Sequence, residues 1–188
     1  MKHAASQELY AYWDERRGKR AAPERAEIEP GAIRHVLSDA FILAVDPRGG
    51  HPFRLAGTRV CALFGRELKN EPFIGLWAAA SQPTIADLIA ILNEESVGTV
   101  AGVTAQNADG EPIDLELLLL PLSSTRPSLA RTIGVLAPLK TPKWLGSSPL
   151  GALNLGPRRH VGASLENRLL PRFMSARRPF VVHEGGRP

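Results

Sequence analysis

The stretch FRLAGTRVCALFGREL, Phe53 to Leu68, decides how the rest of the chain is read. Phe53, Leu55 and Gly57 alternate with Arg54 and Ala56, which is the spacing of a strand. The period then changes: Val60, Leu63 and Phe64 recur at i, i+3 and i+4, one face of a helix. Gly57 sits at the changeover, where a bare backbone eases a sharp turn. Gly65 follows the last apolar residue, the position of a left-handed helix cap. A strand running straight into a short helix is therefore predicted, and its apolar faces need cover from the chain on either side.

Upstream, Ser6 is a helix cap and Gln7 to Arg17 a helix, with Leu9, Trp13 and Arg16 on one side and Gly18 as its stop. Pro30 opens a second short helix with Ile33, Val36 and Leu37 as its stripe. Phe41 to Val45 reads as a buried strand. Asp46 to Gly50 is turn chemistry, so Phe41–Val45 and Phe53–Gly57 form a hairpin. Downstream, Ile85, Leu88, Ile89 and Leu92 give the strongest helical pattern in the chain, beginning at Pro83 and closing at Gly98. Three strands follow: Thr99 to Gln106, Ile113 to Leu122 and Ala130 to Leu139, the first two joined through Asp109-Gly110. In the middle strand Ile113, Leu115, Leu117 and Leu119 face one way. The other face begins with Asp114 and Glu116, read as wet, and ends with Leu118 and Leu120. Those two leucines require a cover: the first helix with Leu9 and Trp13, or a second subunit.

Five strands in two blocks around a helical middle imply an α+β fold: an antiparallel sheet with helices on one face. Three segments are expected, an N-terminal helical leader (1–38), a domain (39–139) and an arm (140–188). The arm is rich in Pro and Gly, with a short turn around Leu165, Leu169 and Leu170 and a strand-like Phe180-Val181-Val182. It carries nine Lys/Arg against two Asp/Glu, a balance of +7 within a total of +4, which leaves the first 139 residues at −3. A basic arm can meet an anionic partner, or it can simply be solvated.

Composition narrows the classes. The chain has 188 residues, 44% of them apolar, enough for a real core. No apolar run approaches the ~20 residues that cross a membrane. One cysteine, Cys61, excludes an internal disulfide and a cysteine-built zinc site, and a cytoplasmic protein is expected. The five histidines, at 3, 35, 51, 160 and 183, lie in no nucleophile or metal motif, and each reads as a surface residue. There is no phosphate-binding glycine loop, so an enzyme is not expected.

The element order from Phe41 to Leu139, with Phe64-Gly65-Arg66-Glu67 at the strand-to-helix segment and Glu111 to Leu122 as the penultimate strand, resembles a PAS domain. A narrower resemblance, to stand-alone PAS proteins of alphaproteobacteria, rests on three groups of residues. The first is Tyr12-Trp13, Arg16 to Arg20, Pro23, Arg25, Ile28, Pro30 and Ile33; the second is Arg54 to Thr58 with Leu76-Trp77. The third is Arg178, Val181, Val182, Glu184, Gly185 and Gly186, while Asn70-Glu71 departs from the pattern. The resemblance implies a cytoplasmic signalling or regulatory protein without a fused output domain. It is expected to act by contact with a signalling protein and as a homodimer, with Leu9, Trp13, Leu118 and Leu120 as the dimer or leader-helix contact. The alternative is a small-molecule sensor with a cavity between sheet and helices, walled by Phe41, Leu43, Leu55, Val60, Phe64, Trp77, Leu88 and Leu92. These eight residues equally serve as plain core filling.

No cofactor can be named. Haem PAS domains commonly use a histidine on the long helix, and Pro83 to Val97 has none. Flavin photosensors of this fold use Asn-Cys-Arg, whereas Cys61 lies between Val60 and Ala62. A more remote reading takes Arg158 and Arg159, in Pro157-Arg158-Arg159-His160, as binding a cyclic dinucleotide or another anionic partner. Nucleic acid is disfavoured, because aromatics are not interleaved with the basic residues.

Overall fold

Among the described residues three α-helices and six strands follow one another, with short 3-10 turns between some of them. The helices and strands are α1 (Ala4–Arg17), β1 (Ala40–Ala44), β2 (Phe53–Ala56), α2 (Thr58–Phe64), α3 (Gln82–Glu95), β3 (Gly98–Gln106), β4 (Pro112–Leu122), β5 (Arg131–Pro138) and β6 (Asn154–Val161). The structure is a computed structural model and describes residues 1–46, 48, 50–124 and 130–162. The strands form one antiparallel sheet in the order β2-β1-β5-β4-β3-β6. With helices packed on that sheet the fold is α+β, as the strand and helix periods predict.

The opening stretch folds as a strand feeding a helix, but Gly57 serves a different purpose from the one its position suggests. Its φ of −69° is open to any residue. A Cβ there would collide with the carbonyls of Leu37 and Ser38, while its N–H donates to Ala40 O at 2.8 Å. Glycine is required by close approach of the backbone, not by the turn. Gly65 does take the left-handed cap, at φ 63°. The long helix α3 ends two residues earlier than expected, on Ser96 at φ 54°. Gly98 instead opens β3, where a Cβ would lie 2.7 Å from a Leu120 methyl and 2.9 Å from one of Val161.

The helices occupy both faces of the sheet, not one. α2 and α3 cover the inner face, where Ile113, Leu115, Leu117 and Leu119 of β4 join Phe41, Leu43, Leu88 and Leu92 in one apolar cluster. α1 covers the outer face: Leu9 and Trp13 pack with Leu118, Leu120, Leu122, Val135 and Ala137. The Trp13 indole N–H donates to Pro121 O at 2.8 Å, which fixes the helix to the end of β4. Leu118 and Leu120 are fully buried within this one chain, so they offer no surface to a second copy.

Two local readings change as a result. α1 starts at Ala4, because His3 caps it through Nδ1, which accepts the Ala5 N–H at 3.1 Å; Ser6 lies buried inside the helix. Glu116 is not wet but buried under the start of the leader. Its carboxylate accepts the N–H of Lys2 at 2.6 Å and of His3 at 3.0 Å, two donors that a helix N-terminus leaves without partners.

Among the described residues the sheet has six strands where five are expected, because the first part of the supposed arm pairs with the body. Leu150 N–H donates to Leu63 O at 2.8 Å, Leu153 N–H to Leu76 O at 2.9 Å and Leu155 N–H to Ser81 Oγ at 3.1 Å. Leu150 and Leu153 are buried in the inner cluster. The chain then pairs along β3, from Thr104 opposite Asn154 to Gly98 opposite Val161. The proline and glycine that break a helix are tolerated on an edge strand with a bulge, and the register shifts near Gly102, where Gly156 approaches its carbonyl. The turn around Leu165, Leu169 and Leu170, the strand at Phe180 to Val182 and the Arg126-Pro127 loop lie outside the described residues.

Candidate functional site

Seven of the eight predicted wall residues, Phe41, Leu43, Val60, Phe64, Trp77, Leu88 and Leu92, are buried together in the inner cluster. The space among them is occupied by side chains outside the predicted set. Phe73 lies with its ring centroid 5.5 Å from that of Phe41, 5.6 Å from Phe53 and 5.7 Å from Trp77. Leu63, Leu68, Ile85 and Ile89 complete the packing. One polar atom there has no protein partner among the described residues: the buried Trp77 indole nitrogen.

Leu55 is the exception, 43% exposed and on the opposite side of the sheet. Between Ile42 and Leu43 the register slips, so Leu55 pairs with Ile42 on the outer face while Phe53 pairs with Leu43 on the inner face. Arg54 is the additional residue, and it too is exposed. Period-2 reading places Phe53 and Leu55 on one face, and a single bulge separates them.

That slip helps to form a groove of about 300 Å³. Its floor is β1, β2 and β5 through Ile42, Leu55 and Ile133, and its wall is the connector after α1 through Ile28 and Ile33. The lining is mostly apolar. Three arginines gather around it. Arg25 lines the wall. Arg131 pairs with Ala44 and Leu122, two residues before Ile133 on the same face of β5. Arg54 stands at the bulge. Among the described residues none of the three forms an ion pair. Burial, then the positive fields of Arg54 and Arg25, hold the Arg131 pKa below its ordinary value. At the junction between leader and β1, burial pushes the Asp39 carboxyl up, and Arg59 at 3.5 Å acts in the opposite direction. The sequence gives one signal for this groove, an arginine beside an apolar residue at Arg54-Leu55, which the strand reading absorbed.

The remaining candidates are placed as follows. Cys61 is buried in α2, and burial pushes its thiol up, away from the thiolate that a reactive cysteine needs. His51 is buried, not at the surface. Its Nδ1 accepts the Asp46 N–H at 3.2 Å, and burial lowers its pKa. Arg158 and Arg159 lie on β6 opposite Ala101 and Val100, beside the bulge of an edge strand and not on a loop, and both are exposed. His160 contacts Thr99 Oγ1 at 3.0 Å through Nδ1. Among the described residues no group of three or more His, Cys, Asp or Glu is placed to hold a metal ion, and no helix is long and apolar enough to cross a membrane.

The sequence profile of a family described as PAS domain matches residues 1–137, so the match takes in the leader helix as well as the sheet. No curated protein matches the chain. Among solved structures it is similar to an RNA-binding light-oxygen-voltage receptor, at 16% identity over 62% of this chain and 35% of that one, with a TM-score of 0.45. The chain thus spans about a third of that receptor's length. It is also similar to the light state of the blue-light photoreceptor Aureochrome1 LOV, at 16% identity over 60% of this chain and 88% of that one, with a TM-score of 0.43. A RsLOV d2 variant is 20% identical over 58% of this chain and 66% of that one, with a TM-score of 0.42.

Proposed function

The chain belongs to the PAS domain family, whose members are in general signalling sensors and not enzymes, and from that premise we propose a non-enzymatic regulatory module that works by protein contacts and as a homodimer. The observation that carries this reading is the groove around Leu55. Among the described residues the fold buries nearly all large apolar side chains, yet leaves this one open beside an apolar hollow and three arginines without an acidic ion-pair partner. Contact surfaces of this kind combine an apolar centre with arginine and a polar rim. A cytoplasmic setting is part of the reading, since the one cysteine is a buried thiol suited to a reducing compartment. The dimer surface is not the Leu118–Leu120 face, which the leader occupies.

Pull-down from native extract with wild-type protein and with Leu55→Arg tests the contact role. Partners retained by the wild type and lost by the variant support it; identical recovery by both removes the groove from the account. The mass of the purified protein tests the homodimer.

A second reading, a small-molecule sensor, is favoured by one observation: the Trp77 indole N–H is buried in the inner cluster without an acceptor among the described residues. A buried donor of this kind costs about 1–3 kcal/mol if nothing satisfies it. A ligand carbonyl or an ordered water at that point removes the cost. Co-purified mass released on denaturation, and lost in Trp77→Phe, distinguishes the ligand.

A further inference from the structure

We propose that the groove around Leu55 binds an acidic peptide segment of a partner protein that carries one or two large apolar side chains. The inference rests on the contact reading above and names the chemistry of the partner. A hollow of about 300 Å³ is at the lower end of the range for ligand sites, ~300–1,000 Å³, and is matched to side chains and not to a drug-sized molecule. Its floor of Ile42, Leu55 and Ile133 is apolar. Arg25 lines it, Arg54 and Arg131 lie on the strands of its floor, and no carboxylate is ion-paired to any of the three among the described residues. Their mutual repulsion is relieved when a partner brings the carboxylates, and guanidinium groups take carboxylates in paired hydrogen bonds.

Charge complementarity also separates the other occupants. The chain's own residues 163–188 include five arginines and two glutamates, the same sign as the groove. A second copy offers an acidic face on α3, where Ile91 is 38% exposed with Asp87, Glu94 and Glu95 at helical neighbour positions. That helix lies over the opposite face of the sheet from the groove. Self-contact would therefore join different surfaces of the two copies and leave one of each unpaired at the ends.

The test uses the full chain and two labelled short peptides, one with leucines on a single helical face and glutamates elsewhere, the other with lysine in place of every glutamate. Fluorescence anisotropy gives the affinity of each for wild type, Arg54→Glu, Arg54→Glu/Arg131→Glu and Leu55→Ser. Arg54 is exposed at a bulge, so its single variant stays folded even where the double variant does not. The acidic peptide is expected to bind wild type at least about ten-fold more tightly than the basic one, and Arg54→Glu is expected to shrink or invert that preference. Added salt weakens it as well. Equal binding of both peptides, lost in Leu55→Ser, keeps the contact surface and overturns the charge assignment. No binding of either peptide overturns the proposal, while partners lost by Leu55→Arg in the pull-down would still preserve the contact reading. A wild-type assembly that dissolves when Glu94 and Glu95 are changed to Arg assigns the groove to a second copy and overturns the separate partner.

Discussion

Glu116 shows how much of this fold hangs on a single side chain. Burial alone would raise its pKa, but the N–H groups of Lys2 and His3 donate to the charged form and hold it below the ordinary value. Because the native value is the lower one, the stabilisation is complete above the ordinary glutamate pKa of about 4.3 and is lost as pH falls through the native value. Acid is therefore expected to weaken the seat of the leader helix. Glu116→Gln should lower stability by about 2 kcal/mol at neutral pH and flatten the acid limb, since it removes charge-assisted bonds. Urea unfolding from neutral to acid pH, wild type against variant, checks both effects. Gly57 gives a second residue-scale outcome. Gly57→Ala adds a Cβ against the Leu37 and Ser38 carbonyls at an unstrained φ, so its cost is steric, about 1–3 kcal/mol. Thermal melting reads it, with Gly110→Ala as a contrast: that site has open space but φ 83°.

Among the elements, those with a clear period were legible in the sequence. Strand alternation in Ile113 to Leu119 and the helical spacing of Ile85 to Leu92 reflect burial of one face, and the structure buries those faces. Two kinds of feature were not legible. A bulge adds one residue without altering composition, so Leu55 and Phe53 read as partners on one face until the register with Ile42 and Leu43 is known. β6 is made from Asn-Leu-Gly-Pro-Arg-Arg-His-Val, which has no strand alternation and owes its form to pairing with β3. The buried leucines that lead to it have an energetic consequence. Leu153→Ala should cost about 2–5 kcal/mol, as for other fully buried leucines, and truncation after Leu139 should expose the inner cluster to an apolar dye. A free arm would leave both unchanged. Trp13→Ala is expected to be comparably severe, about 3–5 kcal/mol, because it removes the packing on Leu118 and Leu120 together with the bond to Pro121.

At the scale of the whole molecule, the sheet is covered on one side by α2 and α3 and on the other by α1, which leaves the arginine-flanked groove at the β1–β2 end as an open apolar feature of the outer face. The candidate site was only half legible for that reason. Seven of the proposed wall residues do come together, but they are interlocked with Phe53 and Phe73 in an aromatic core. The eighth, Leu55, marks a different surface. We propose that this PAS domain signals through contacts made on its surface and not through a molecule held in its core. Native mass spectrometry of the purified full-length protein, with an absorption spectrum alongside, tests it most directly. Masses that correspond to polypeptide alone, with the dimer as the main species and no visible band, are the predicted result. Additional non-polypeptide mass that is released on denaturation, or absorption in the visible, would contradict it and put a ligand beside Trp77.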